Sequence, residues 1–191
     1  MFRNSIVLRV ALSTVFMIPP VAPSASAADP ENRLIDYQGF AKQVETVGEL
    51  RAKRRISEAD FIEMARDSEN IVLDARSKEK FDMLHVKGAH HLNFSDMTEE
   101  DLARIIPTKT TRVLIYCNNN FLNAPVAMPT KTVTASLNVH TFNALHAYGY
   151  SNVFELKPLL DMKTTQIPFE GSNAKNSEPP EPDNSPSDKP R

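Results

Sequence analysis

The stretch Arg-Val-Leu-Ile-Tyr-Cys-Asn-Asn-Asn, residues 112–120, decides the fold of this chain and carries its single cysteine, Cys117. The apolar run 113–116 is rich in β-branched and aromatic side chains, which predicts a strand buried on both faces. The asparagines that follow favour a turn. A helical pattern then leads to Gly149, a typical residue after a helix C-terminus. The thiol therefore lies where a buried strand gives way to a loop, at the carboxyl edge where open α/β sheets bind ligands.

Two interpretations of Cys117 remain open from the residues alone. A helix N-terminus close to the sulfur would favour the thiolate, which is the nucleophilic form. A lone free cysteine is also a common small hydrophobic core residue, and its thiol is then inert. The position at the end of the strand, rather than inside it, favours a functional thiol.

The composition limits the classes of function. The chain has 191 residues, 41% of them hydrophobic, which is enough for one domain with a real core plus extensions. Its formal net charge of -2 indicates neither a nucleic-acid partner nor an anionic membrane surface. The five histidines and one cysteine form no recognised metal-binding pattern, and no cofactor is expected.

Residues 1–27 have the pattern of a secretory signal peptide. Arg3 and Arg9 accompany an apolar stretch that is too short to span a bilayer comfortably. Residues 25–27, Ala-Ser-Ala, form a cleavage site. We expect cleavage after Ala27, with cleavage after Ala28 as the second choice, and prefer a cleaved signal peptide to an uncleaved anchor. The mature protein would then have no membrane span and a periplasmic or secreted location. Exported proteins usually pair their cysteines, so a single one is either buried and inert or kept for its chemistry.

Residues 28–55 are predicted to form a helical N-terminal extension. Apolar side chains recur there at helical spacing: Phe40, Val44, Val47 and Leu50. A basic cluster ends the segment: Arg51, Lys53, Arg54 and Arg55. We interpret this cluster as solvated charge that complements the helix dipole, in preference to an anion-binding site.

Residues 56–170 alternate short apolar strands with helical segments. This pattern predicts an α/β domain with a small parallel sheet covered by helices on both faces. The closing part, 158–170, has room for one short helix. Residues 171–191 contain no large apolar side chain. We expect this tail to be disordered, because it cannot bury enough apolar surface to offset the entropy of ordering.

Four segments of this domain, taken in order, resemble the motifs of the rhodanese family. They are 72–81 (Val-Leu-Asp-Ala-Arg-Ser-Lys-Glu-Lys-Phe), 85–92 (His-Val-Lys-Gly-Ala-His-His-Leu), 114–117 (Leu-Ile-Tyr-Cys) and 149–156 (Gly-Tyr-Ser-Asn-Val-Phe-Glu-Leu). The resemblance implies a small α/β domain around a parallel sheet. It also implies a sulfurtransferase, because active members of the family carry sulfane sulfur as a persulfide on the cysteine that matches Cys117. A small sulfur donor and a thiol or cyanide-like acceptor would be its partners.

The loop after the cysteine departs from the family pattern. The family loop contains a glycine and an arginine, whereas Asn118, Asn119 and Asn120 open a loop with neither. Residues 124–134 look like an insertion that would form a flap over the thiol, and Lys131 within it is a candidate source of positive charge. A phosphatase-like activity is not expected, since a phosphate would lack its bidentate arginine. The asparagine amides either suit a less charged sulfur carrier or simply favour a turn.

Four residues of the matched motifs are given structural roles: Asp74, Arg76, His85 and Gly88. We expect Arg76 to hold the structure through Asp74 or neighbouring carbonyl groups rather than to touch substrate. We expect His85 to be packed and hydrogen-bonded rather than to act as a base. Gly88 belongs to a tight connection between two elements.

Three functions remain open at this point. The first is a sulfurtransferase with Cys117 as the persulfide carrier. The second is a catalytically silent rhodanese-like module of the cell envelope that recruits a protein partner. The third is a redox thiol, which would need a resolving cysteine from another chain. The retained cysteine favours the first function, and the missing loop arginine favours the second.

Overall fold

The computed structural model describes residues 32–174. The predicted signal peptide and its cleavage site lie outside the described residues, and so does the part of the predicted tail from 175 to 191. The helices are α1 (Tyr37–Lys53), α2 (Glu58–Ala65), α3 (Lys78–Met83), α4 (Glu99–Ile105) and α5 (Leu137–Ala147). The strands are β1 (Arg55–Ile56), β2 (Ile71–Asp74), β3 (His85–Val86), β4 (His90–His91), β5 (Val113–Tyr116), β6 (Phe121–Leu122), β7 (Val153–Leu156), β8 (Leu160–Asp161) and β9 (Phe169–Glu170). None of these helices is long and apolar enough to cross a membrane.

Five parallel strands form the central sheet in the order β1-β7-β5-β2-β4. β5 lies in the middle and all four of its residues are buried, as its continuous apolar run predicts. The register pairs Asp74 of β2 with Tyr116 of β5, so both strands end at the same edge of the sheet. Cys117 follows directly at that edge. The prediction of an α/β fold around a parallel sheet is therefore confirmed.

The two faces of the sheet carry separate hydrophobic cores, because alternate residues of β5 point to opposite sides. Val113 and Ile115 belong to a core that also contains buried residues of α1, α4 and α5. Leu114 and Tyr116 belong to a second core that contains Phe61 of α2. Helices therefore cover both faces, as the sequence pattern predicts.

The helix predicted in the N-terminal extension is α1. It begins after Asp36, whose carboxylate accepts the N–H of Gly39 at 2.7 Å and so caps the helix. Val47 is fully buried in the core of the sheet. The Gln43 side chain donates to the carbonyl of Asn143 in α5 at 2.7 Å. These contacts dock α1 against α5, and they place its C-terminal end beside β7.

The closing segment 158–170 contains no helix, so the short helix considered for it was wrong. β8 pairs with β6 instead, and β9 pairs antiparallel with β3. Glu58 of α2 explains the extended path, because its carboxylate accepts the N–H of Gln166 at 2.7 Å and also the hydroxyl of Thr165. These bonds tether the chain to α2 and compete with local helix formation.

Residues 171–174, the start of the predicted tail, lie within the described part of the chain. The N–H groups of Ser172 and Asn173 donate to the carbonyls of Asp82 and Met83 at 2.9 and 2.8 Å. These four residues are therefore held against the end of α3 and pack with the folded domain.

Candidate functional site

The thiol of Cys117 lies at the carboxyl end of β5 and is 1% exposed. Its Sγ is 3.4 Å from the hydroxyl oxygen of Ser136, the residue that precedes α5. The first turn of a helix presents free N–H groups and the positive end of the helix dipole. Both the hydroxyl and this helix end would stabilise a negative charge on the sulfur.

The asparagines after the cysteine form one turn of 3-10 helix, Asn118–Asn120, in which Asn120 is buried. Its Oδ1 accepts from the N–H of the cysteine and from the side chain of Asn138, both at 3.0 Å. Its Nδ2 donates to the carbonyls of Leu156 and Pro158 at 2.9 and 3.1 Å. This one amide therefore ties the thiol-bearing residue to α5 and to the end of β7.

The other two asparagines hold the inserted segment 124–134. The Asn118 side chain donates to the carbonyl of Pro129 at 3.0 Å. Asn119 pairs with the backbone of Lys131 in both directions, donating at 2.8 Å and accepting at 3.0 Å. Both amides thus bind the protein's own backbone.

Lys131 lines a different cavity from the thiol. That cavity has a volume of about 320 Å³ and is also lined by Arg76, Lys80 and Asn118. The cavity beside Cys117 has a volume of about 380 Å³, and Lys131 is not among its lining residues. The structure therefore does not bring Lys131 together with the thiol.

Asp74, Arg76 and Tyr116 form a buried polar cluster beneath the sheet edge. The guanidinium of Arg76 is 2% exposed and binds both carboxylate oxygens of Asp74. It also donates to the carbonyls of Leu84 and Ala127 at 2.6 and 3.0 Å. The Tyr116 hydroxyl donates to Asp74. Arg76 thus contacts the carboxylate and carbonyl groups expected of it.

The charges in this cluster are fixed by their surroundings. Burial opposes a charge on Arg76, but the hydrogen bond and attraction to Asp74 outweigh it and raise the pKa of the guanidinium. Burial and the charge of Asp74 raise the pKa of Tyr116 well above its usual value. At neutral pH the cluster is therefore one ion pair with a neutral phenol, and none of its members lines the cavity beside Cys117.

His85 and Gly88 lie at the β3–β9 pair, away from the thiol cavity. The His85 ring nitrogens lie 2.6 Å from the carbonyl of Phe81 and 3.2 Å from the carboxylate of Glu170. Gly88 has a φ of 79°, which favours glycine, and its N–H donates to the same carboxylate at 2.9 Å. This backbone hydrogen bond lowers the pKa of Glu170. Through Glu170, both residues therefore hold β9 against the β3 region of the domain.

The cavity beside Cys117 has a positively charged wall. Arg51 at the end of α1, Arg55 of β1 and Lys157 after β7 line this cavity, and we call these three residues the cationic wall. The Arg51 guanidinium binds both carboxylate oxygens of Glu155, a β7 residue whose side chain is 3% exposed. Arg55 lies opposite Glu155 in the β1–β7 register, with 3.6 Å between its Nε and the carboxylate. Arg51 lies in the last turn of α1, as the helix-dipole interpretation predicts, and Arg55 is exposed. The interpretation as solvated charge was wrong for Arg51, because it is paired with a buried carboxylate.

The sequence did contain a signal for the cationic wall. Glu155 interrupts the apolar run of β7, and a buried carboxylate needs a cation close to it. Its partner Arg51 lies 104 residues earlier in the chain, so sequence spacing could not identify the pair.

The donor set of the cavity suits an anionic ligand. Within residues 32–174 it combines one thiol, one hydroxyl, three asparagine amides, three cationic side chains and one carboxylate. Within residues 32–174, no group of three or more His, Cys, Asp or Glu side chains is placed to hold a metal ion. The chemistry that the cavity can support directly is attack by sulfur on a bound electrophile.

Comparison with known families identifies the class of protein. The family model of the rhodanese-like domain matches residues 57–157, more than half of the chain. The chain therefore belongs to the rhodanese-like domain family. The match begins after α1 and β1, so Arg51 and Arg55 precede the matched region. No curated protein matches this chain.

The solved structures that are similar to this chain include two of one protein and one of another. The BH2092 protein from Bacillus halodurans has 17% sequence identity and a TM-score of 0.46, with 71% of this chain and 88% of that chain covered. The rhodanese-like domain of the Alr3790 protein from Anabaena sp., in solution, has 18% identity and a TM-score of 0.47, with 72% and 92% covered. A crystal structure of Alr3790 has 17% identity and a TM-score of 0.44, with 63% and 98% covered.

Proposed function

We propose that this protein is a sulfurtransferase of the periplasm or of the exterior of the cell, and that it carries sulfane sulfur as a persulfide on Cys117. The observation that carries the proposal is the setting of the thiol. It ends the central strand, lines a cavity of about 380 Å³ and lies 3.4 Å from the Ser136 hydroxyl at the start of α5. Membership of the rhodanese-like family supports the same chemistry.

The reaction consists of two displacements at one sulfur atom. The Cys117 thiolate attacks the outer sulfur of a donor; a new S–S bond forms, and the electron pair of the broken bond leaves with the rest of the donor. A thiol or cyanide then attacks the outer sulfur of the persulfide, and the electron pair returns to Cys117 as the thiolate. Ser136 donates a hydrogen bond to the sulfur while it is anionic.

Access to the buried thiol requires some movement at the mouth of the cavity. Val133 and Leu159 line the cavity and are 79% and 61% exposed. Because these two side chains are largely in solvent, they can move with little loss of packing. Donor entry therefore does not require the hydrophobic cores to open.

A catalytically silent binding module is the second candidate function. The absence of an arginine from the loop favours it. So do the amides of Asn118 and Asn119, which bind the backbone of the inserted segment and leave fewer donors for a ligand. The cavity beside Cys117 would then recruit a partner without a reaction.

A turnover assay with the mature protein separates these two functions. The donors are thiosulfate and low-molecular-weight persulfides, and the acceptors are cyanide and dithiothreitol. A sulfurtransferase releases thiocyanate or sulfide in amounts that exceed the amount of protein. Release at the background rate for every donor and acceptor pair would contradict the proposal and favour the binding module.

Ser136→Ala is expected to slow persulfide formation by about tenfold, because the anionic sulfur loses a charge-assisted hydrogen bond. The rate is measured in a single turnover, with alkylation by iodoacetamide as a second readout of thiolate reactivity. Ser151→Ala is the control, because Ser151 is exposed and does not line the cavity. Equal rates in Ser136→Ala and the wild type would remove Ser136 from the mechanism.

Export is a separate proposal that rests on the N-terminal sequence. Expression of the full chain in a bacterium with a periplasm is expected to yield a protein that lacks residues 1–27. N-terminal sequencing of the periplasmic extract should begin at Ala28, and a version without residues 2–27 should stay in the cytoplasm. An uncleaved chain, or a cleaved chain confined to the cytoplasm, would contradict the location.

A further inference from the structure

We propose that the cationic wall is the recognition site for a carboxylate-bearing organic persulfide, the sulfur donor of this protein. The inference rests on the proposed function and adds the chemical class of the donor. Two of the three cations come from the segment that precedes the matched family region, so the recognition site is a property of this chain's own extension. Two observations support it: the positive charge of the wall and the size of the cavity.

The cationic wall carries more positive charge than the carboxylate beside it can neutralise. Among residues 32–174, Glu155 is the single carboxylate that lines the cavity, and Arg51 binds both of its oxygens. Arg55 shares the same carboxylate, with 3.6 Å between its Nε and the nearer oxygen, and its side chain donates to the carbonyl of Lys157 at 3.3 Å. Three cations therefore face one carboxylate, and an anionic ligand would balance the positive charge that remains.

The size of the cavity also favours an organic donor over a small inorganic anion. A volume of about 380 Å³ falls in the range of sites for organic ligands. The persulfide of an amino-acid or short-peptide thiol would place its carboxylate against Arg55 and Lys157. Its outer sulfur would meet Cys117.

The transfer from such a donor balances without a further reactant. The Cys117 thiolate attacks the outer sulfur of R–S–SH, and the bond between the two donor sulfurs breaks. The electron pair leaves on the inner sulfur as R–S⁻, and the proton stays on the transferred sulfur, now Cys117–S–SH. The cationic wall holds the donor by its carboxylate throughout and does not contact the reacting sulfurs.

Binding is tested with S-methylglutathione, a carboxylate-bearing peptide that cannot react, by calorimetric titration of the mature protein. Arg55→Gln and Lys157→Gln are each expected to weaken binding by about tenfold or more, since a charge-assisted hydrogen bond is lost. Arg54→Gln is the matched control. Arg54 is adjacent and loses the same charge, but it binds Asn152 at 3.0 Å and packs over Phe154 instead of lining the cavity. Equal affinities of Arg55→Gln and Arg54→Gln, or no binding by the wild type, would overturn the proposal.

Persulfide loading then separates the donor site from the proposed function. Glutathione persulfide should load Cys117 about tenfold more slowly in Arg55→Gln than in the wild type, whereas uncharged 2-hydroxyethyl persulfide should load both at the same rate. Loading of both proteins at equal rates by both donors would overturn the recognition site and leave the sulfurtransferase intact. A third outcome is a wild-type protein that binds S-methylglutathione but is loaded by neither donor. That result would overturn the proposed function, and it would show that the bound ligand is not a sulfur donor.

Discussion

Replacing Asp74 with asparagine is expected to lower the free energy of unfolding by roughly 3–5 kcal/mol. Asp74 is fully buried and is the carboxylate that compensates the buried guanidinium of Arg76. The variant keeps that guanidinium charged and buried but removes its counter-ion. It also replaces an acceptor of the Tyr116 hydroxyl by a weaker, uncharged one. Urea denaturation of the mature protein measures the loss.

Asp82→Asn is the matched control for this prediction. Asp82 forms an ion pair with Lys78, but the two side chains are 54% and 67% exposed. An exposed pair of this kind contributes about 0–1 kcal/mol. If Asp74→Asn were no more destabilising than Asp82→Asn, the buried ion pair would not be the structural centre of this sheet edge.

Cys117→Ser is expected to lower the turnover rate by at least roughly a thousandfold, down to the rate without protein. A serine hydroxyl does not form a persulfide, so neither displacement can occur. The substitution changes one atom in a buried site and keeps a polar group beside Ser136. The fold should therefore survive, and a far-UV circular dichroism spectrum with an unfolding curve close to those of the wild type would show it.

The contrast with Ser136→Ala strengthens this experiment. Removal of the nucleophile should abolish turnover, whereas removal of the hydrogen bond to it should only slow the reaction. A folded Cys117→Ser protein that kept the wild-type rate would exclude the persulfide mechanism, even if the protein were an active sulfurtransferase.

Much of the fold could be predicted from the sequence because local patterns and tertiary structure agree. The apolar run 113–116 has no polar residue for a solvent-facing side, and β5 is indeed the central strand. Ser57 and Thr98 have the side chains of helix-capping residues, and each caps its helix through the residue three positions later. The position of Cys117 at the end of β5 could be predicted because the apolar run stops at residue 116.

The surroundings of the thiol could not be predicted, because they depend on contacts between distant segments. Three consecutive asparagines have the same turn propensity, yet Asn120 is a buried support of the cysteine whereas Asn119 binds the inserted segment. Lys131 and Arg55 are both basic residues, and only the fold shows that Arg55 lines the thiol cavity whereas Lys131 does not. The β1–β7 register, which joins residues about a hundred positions apart, decides that outcome.

Intact-protein mass spectrometry after exposure to sulfane-sulfur donors tests the central claim most directly. The mature wild-type protein should gain one sulfur atom, the gain should map to the peptide that contains Cys117, and a subsequent thiol or cyanide should remove it. Cys117→Ser should show no gain under the same conditions. A wild-type protein that gains no sulfur from any donor, while its thiol remains titratable, would contradict the persulfide carrier and favour the binding module.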